Sequence, residues 1–435
     1  MTKTSGSFSE EVRYICEQQP KTMKHHYLFV LCAALCLAVG CEKLNREKNL
    51  SGDELAPLVP IQLTEADVQV RDASNQFGLN TFHRLYALSE DGNVAFSPLS
   101  LSLALSMAAE GAEGNTYKQF SDVIGWNNSN KEEVGAYYKK MIAGLVEADR
   151  NVQLSSANSF WTATGFPLKE NYTSRLTNYF SAESYSVDFS LPATLERINK
   201  WCSDKTDGKI PNMLSGLDPN TKLMLINALL FKSPWRLTWE IKQNRTFTTA
   251  TGAKVQKDYL YTENEKLAYG DFGDFELVRA PYGNGAYVMD IILPKAGKTL
   301  SEVLPELESR QVNYPLQPAE VTLYLPKWST AYSTEEALIP VLQDQGLTDP
   351  FNPELANFAG ISEQSLFIGL VKQKVRIDVT EKGTEFAAVT VIGMCTEAYP
   401  PVTPAKVTVD VNRPFAYTIR EATSGTILLL GTLSK

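Results

Sequence analysis

The chain has 435 residues, 43% hydrophobic content and a formal net charge of −9, enough apolar material for one large core or two smaller ones. Charged residues at 21% and aromatic residues at 10% exclude a disordered chain. No long basic run is present, which excludes a nucleic-acid surface, because phosphate neutralisation needs clustered Lys and Arg.

From Met23 the chain reads MKHHYLFVLCAALCLAVGC. A short basic start precedes an apolar run, Tyr27 to Val39, too short to span a bilayer. The run ends in Ala38-Val39-Gly40-Cys41, which resembles a bacterial lipobox with Ala38 in place of the usual Leu. Residues 1–40 are expected to be a signal peptide, with Met23 the true start, and Cys41 the lipidated residue. The alternative is an ordinary signal peptide with an incidental cysteine. Residues 41–65 are polar and Pro-containing, and read as a flexible tether. No other segment is apolar enough to cross a membrane. Membrane attachment is therefore expected through the lipid anchor only, at a bacterial outer membrane, on its periplasmic or its outer face.

Helices and strands then mix without a βαβ rhythm. SPLSLSLALSMAAEGAEG is a Ser-capped apolar helix that starts at Ser97-Pro98 and stops in the Gly111–Gly114 region. NKEEVGAYYKKMIAGLVEADRN is helical with mixed charges, and TLERINKWCSDKT is a further helix. KLMLINALLFK, YVMDIILPK, EVTLYLPKW, QKVRIDVTE, AKVTVDV, FAYTIRE and TILLLGTL read as strands, several with period-two alternation. The pattern is α+β with large antiparallel sheets. One segment carries two compositions: EKGTEFAAVTVIGMCTEAYPPVTPAK begins as a buried strand would and ends as an exposed loop.

Six cysteines are present, at positions 16, 32, 36, 41, 202 and 395. Loss of the leader and lipidation of Cys41 leave Cys202, which reads as a packed, half-buried thiol, and Cys395; no disulfide framework is implied. The mature chain has one histidine, His83, within the helical NTFHRLYAL. A His/Cys zinc site cannot be assembled, and a Ser-His-Asp triad would depend on that single residue. No G-x-S-x-G elbow and no Ser-x-x-Lys pair occurs. Carboxylate pairs stay open. The inventory points to no metal, no cofactor and no enzyme, and towards a binding or conformational protein.

Six stretches, in order, resemble the serpin family from about residue 66 to the C-terminus: NVAFSPLSLSLALSMAAEGAEGNT, FWTATGFPLKENY with SVDFS, INKWCSDKTDGKIPNML, LINALLFKSPWRLTWE, VTEKGTEFAAVTV and NRPFAYTIREATSGTILLLGTLS. The resemblance implies the serpin fold, with helices around a large antiparallel-rich central sheet, two smaller sheets and an exposed reactive loop, here residues 381–406. It implies a suicide-substrate inhibitor of serine, or cysteine, endopeptidases, monomeric, whose loop is cleaved, traps the acyl-enzyme and inserts into the central sheet as a strand. Serpin loop insertion is itself a standing example of strand addition, so this mechanism comes from the family.

Carried over by position, Glu381, Gly383, Thr384, Phe386, Ala387 and Ala388 match the hinge. Ser97, Ser100 and Asn227 match the polar cluster beneath the sheet's opening point, and Trp235 the tryptophan near its top. Gln373 stands where many members carry histidine, which removes any imidazole pH-dependence from the cluster. The reactive bond is expected at Glu397–Ala398, sixteen residues after Glu381, with an acid-preferring protease as partner; a shift of register would offer Met394, Cys395, Thr396 or Tyr399 to elastase-like or chymotrypsin-like enzymes. Most hinge residues are small, but Phe386 is bulky. The alternative is therefore a non-inhibitory or substrate-like serpin that acts as a binding protein. The mixed charges of the helix near residue 140 do not support heparin-type activation.

Overall fold

The computed structural model describes residues 57–384 and 405–435. Cys41, Phe386, Ala387, Ala388, Cys395, Glu397 and Ala398 lie outside them.

Helix α1 is Glu65–Leu88. A capping box starts it: the Thr64 hydroxyl accepts from Asp67 N at 3.2 Å and the Asp67 carboxylate accepts from Thr64 N at 2.8 Å. The packed body extends a little upstream, into residues the sequence reading gave to the tether. Ile61 is buried in the core, and its N–H donates to Thr423 Oγ1 at 3.0 Å.

Strand β1 (Ala95–Phe96) leads into α2 (Pro98–Ala109), whose cap is Ser97 as expected. Then come α3 (Gly114–Ile124), α4 (Lys131–Glu147), β2 (Gln153–Ala163), α5 (Glu170–Phe180), β3 (Glu183–Val187) and α6 (Pro192–Lys205). Five strands follow: β4 (Leu223–Lys232), β5 (Glu240–Thr248), β6 (Lys254–Asp271), β7 (Phe275–Pro281) and β8 (Tyr287–Pro294). The remainder comprises α7 (Leu300–Ser309), β9 (Gln317–Pro326), β10 (Trp328–Ser333), α8 (Leu338–Asp344), β11 (Lys374–Val379), β12 (Ala405–Asp410), β13 (Phe415–Glu421) and β14 (Ile427–Leu433).

The strands form one large sheet and two smaller ones. The nine-stranded sheet runs β1-β14-β13-β8-β7-β6-β9-β12, with β5 on β6. Its pairs are antiparallel except β12 with β9. Every residue of β8 is buried, because a strand covered on both faces needs no alternation. The smaller sheets are β3-β2-β4 and β10-β11.

Strand β4 alternates, and its two faces meet different neighbours. Ile226 and Ala228 pack with Trp161, Ile198, Trp201 and Cys202, on the α6 side. Phe231 points the other way, with its ring 5.5 Å from Tyr282 and 5.2 Å from Tyr287. Cys202 is more deeply enclosed than its sequence context indicated, at 2% exposure, because the α6 face it occupies is pressed onto this second core.

Candidate functional site

The hinge leaves from the end of β11, in the two-stranded sheet. Thr380 and Gly383 exchange backbone hydrogen bonds of 3.0 and 3.2 Å, so the chain reverses within four residues. Gly383 has φ +130°, and a Cβ there would lie 2.2 Å from Ser233 O. Only glycine fits that close approach and that backbone conformation. Thr384 then pairs with Ser233, just past the end of β4, through two 3.0 Å hydrogen bonds in antiparallel sense.

Aromatic residues support this turn from below. Trp235 Nε1 donates to Thr380 O at 2.8 Å. Its ring stacks on Tyr282, with centroids 4.2 Å apart and planes at 12°. The Tyr282 hydroxyl lies 2.8 Å from that of Thr384. Glu381 pairs with Lys327 at 2.6 Å, and that bond holds its carboxyl below the usual glutamate range.

Beneath the hinge, β4 pairs with β2 on one edge and β11 pairs with β10 on one edge. Among the described residues no ladder joins β4 to β11. Between them lies a cavity of about 550 Å³, lined by β4, β11, residues 365–373 and the α2 residues Ser100, Leu101, Ala104 and Leu105. The place for an added strand is thus a seam between the two smaller sheets.

Halfway down the seam sits the polar cluster. Gln373 Oε1 accepts from Ser97 N at 2.7 Å, and its Nε2 donates to Ser97 O at 3.0 Å. Ser97 Oγ accepts from Ser100 N at 3.2 Å, and Ser100 Oγ donates to Asn227 Oδ1. Asn227 Nδ2 donates to Asn158 Oδ1 at 2.8 Å. Ser97, Ser100, Asn227 and Gln373 therefore belong to one network, with Gln373 tied to the α2 cap and Asn227 to β2. Trp235 belongs instead to the hinge.

Sequence reasoning missed Ser233, Tyr282, Thr334 and Asn158. Thr334 Oγ1 accepts from Gln373 N at 3.0 Å and so fixes the backbone from which Gln373 reaches Ser97. Tyr282 lies in PYGNGAY, which reads as a turn; only tertiary packing brings it to the hinge.

A family model described as Serpin (serine protease inhibitor) matches residues 72–435. This chain belongs to the serpin family. Rat glia-derived nexin is 30% identical over 388 residues, 85% of this chain and 94% of the relative. The thermophilic serpin tengpin in its native state superposes with a TM-score of 0.75 at 25% identity, covering 87% of this chain and 97% of tengpin. Human thyroxine-binding globulin, solved in complex with its ligand, shares the fold at 23% identity and a TM-score of 0.72, covering 85% of this chain and 99% of the globulin. Family membership corrects the end point of the residue inventory. A bare "no enzyme" gives way to a role in protease inhibition, which rests on the family match and not on a missing catalytic set.

Proposed function

We propose that this serpin is a suicide-substrate inhibitor of serine endopeptidases, working by loop cleavage, acyl-enzyme trapping and insertion between β4 and β11. The observation that carries the reading is the Thr384–Ser233 pairing at the head of that seam. It is one antiparallel rung already made, beside two strand edges that make no ladder with each other among the described residues.

Continuing that rung sets a register. Each step along the loop moves one step back along β4, so residues 385–394 fall opposite Lys232 to Leu223. From the Thr380–Gly383 pair, the same count on the other side places Phe386 between Phe231 and Ile377, and Thr390 between Asn227 and Gln373. A hydroxyl would then arrive at the polar cluster, and small or apolar side chains elsewhere on the core face. Ten new rungs at roughly 1 kcal/mol net each supply a driving force on the order of ten kcal/mol. The intact state is then held by kinetics.

In the reaction the protease's own nucleophile attacks the Glu397 carbonyl, an ester forms, and the amine of Ala398 leaves with a proton. Insertion must outrun hydrolysis of that ester. Incubation with a panel of serine proteases, a glutamyl endopeptidase and an elastase among them, should give a covalent complex that survives SDS. Cleavage without complex with every protease would favour the second reading, a substrate-like or ligand-binding serpin. Phe386 and the ligand-bound relative of the same fold favour that reading.

The lipobox-like leader supports attachment at a bacterial envelope through Cys41, since the two or three acyl chains of such a lipoprotein anchor stably where one does not. Metabolic labelling with a clickable fatty acid should mark the wild type and not Cys41→Ala; equal labelling of both removes the proposal.

A further inference from the structure

The chain enters the body as a strap across the end of α4. Val59 N donates to Ala148 O at 3.3 Å, and Ile61 N donates to Thr423 Oγ1 at 3.0 Å. The Ile61 side chain is buried. It lies against Gly144 of α4, where an added Cβ would come within 3.2 Å of it. Pro57, Leu58 and Val59 are exposed.

Both hydrogen bonds of the strap end beside one turn, residues 282–286 between β7 and β8. On one side, Ala148 O also accepts from Asn284 Nδ2 at 3.1 Å. The neighbouring Asp149 carboxylate accepts from Asn284 N at 2.7 Å and from Asn151 N at 2.9 Å. Gly283 is pressed onto Asp149: its φ is +40°, and a Cβ there would run into the carboxylate, so only glycine fits. On the other side Ala422, the residue before Thr423, donates its N–H to Ala286 O at 2.7 Å. The turn is thus gripped from two sides, at or beside the groups that the strap itself bonds.

The same turn holds both partners of the first rung at the hinge. The Tyr282 hydroxyl lies 2.8 Å from that of Thr384. Gly283 N donates to Pro234 O at 2.9 Å, and Pro234 directly follows Ser233, whose backbone pairs with Thr384. A loosened turn therefore frees the Thr384 side chain and unsettles Ser233 together.

We propose that residues 57–63 are a latch: seated on α4, they hold the turn and keep the Thr384–Ser233 rung made. The segment through which the chain arrives from Cys41 thereby sets how readily the loop starts into the seam. The two states are the rung made and the rung open, and the strap biases them towards the first through the turn. With the strap unseated, insertion begins one rung behind and hydrolysis of the ester gains on it. That last consequence rests on the insertion reading above; the latch itself concerns the uncleaved protein.

The test compares Ile61→Ala with Ile124→Ala, both in the full chain. Ile124 is equally a buried isoleucine, but it sits at the end of α3, so its loss destabilises without touching the strap. Amide exchange of Gly283 and Thr384 should quicken about fivefold more in Ile61→Ala than in Ile124→Ala, the low end of couplings between separate sites. Ile61→Val should stay near wild type. Val59→Pro, which removes the N–H that Ala148 O accepts and leaves the core intact, should act in the same direction as Ile61→Ala. The number of inhibitor molecules consumed per protease inactivated should rise with Ile61→Ala and Val59→Pro and not with Ile124→Ala. Equal exchange in the two alanine variants overturns the latch, because the strap is then ordinary packing. Quickened exchange with an unchanged ratio overturns its bearing on inhibition. A wild type that forms no complex with any protease overturns the insertion reading, and exchange alone then decides the latch.

Discussion

The hydroxyls of Thr384 and Tyr282 lie 2.8 Å apart in a buried site, and the Tyr282 ring is stacked on Trp235, which in turn holds Thr380. At Thr384 the hinge is therefore tied by its side chain to Tyr282, the residue directly after β7, as well as by its backbone to Ser233. Tyr282→Phe keeps the stack and removes the hydroxyl. A neutral hydrogen bond contributes about 1 kcal/mol net, so exchange of the Thr384 amide is expected to quicken about fivefold, with Trp235 fluorescence unchanged. Unaltered exchange would show that the backbone pairing alone holds this residue.

Gly383→Ala attacks the same rung from the backbone. The added methyl would approach Ser233 O to 2.2 Å at φ +130°, and that oxygen is the acceptor for Thr384 N. Strain of about 1–3 kcal/mol is expected. More inhibitor should be consumed per protease inactivated, by roughly tenfold for each 1.4 kcal/mol that reaches the insertion barrier. Titration of inhibitor against active protease measures it.

Phe386→Ala should move the same ratio the opposite way, towards one. In the proposed register the ring enters beside Phe231, whose own ring already meets Tyr282 and Tyr287. Overpacking costs roughly 1–3 kcal/mol. That is small against the total drive but large enough to slow insertion relative to hydrolysis. A ratio unchanged or raised in the mutant means that the seam accepts the ring.

Mass spectrometry of the peptide released from a protease complex should find an N-terminus at Ala398. The register places Met394 opposite Leu223, the first residue of β4, so two residues remain between the last rung and Glu397. A different N-terminus displaces the assigned bond. It also replaces the expected acid-preferring protease with one that suits the residue found.

Cys202 is expected to be inert while the protein is folded. Burial pushes its thiol up from the ordinary value of 9.0 to about 12, so its thiolate fraction at pH 8 falls about a thousandfold. In protein starting at residue 42 and carrying Cys395→Ser, this is the sole thiol. A thiol-reactive dye should label it only after unfolding; rapid labelling at pH 8 would mean that α6 opens readily.

Legibility followed the range of the interactions. The α2 cap, the β13 strand and the alternation of β4 are written in contiguous residues, and SPLSLSL and FAYTIRE announce them. The polar cluster could be named only through family resemblance, because Ser97 and Gln373 are 276 positions apart and neither has a local pattern. An opening for an added strand was likewise implied only by the resemblance, and its place between β4 and β11 was not legible. KLMLINALLFK and QKVRIDVTE both read as strands, yet nothing in either says whether the two will pair. The ion pair of Lys209, in the loop after α6, with Asp378 of β11 at 3.1 Å was hidden for the same reason: both look like ordinary surface residues until the chain folds them together.

The last three strands, β12, β13 and β14, all belong to the nine-stranded sheet, and β14 also pairs with β1. Protein cut in the loop before β12 is consequently a two-chain molecule whose short C-terminal chain is woven into the body by the ladders of β12 on β9, β13 on β8 and β14 on β1. It will travel as one particle in gel filtration and fall apart only in denaturant. A preparation judged pure and whole by its native mass can therefore consist entirely of spent inhibitor.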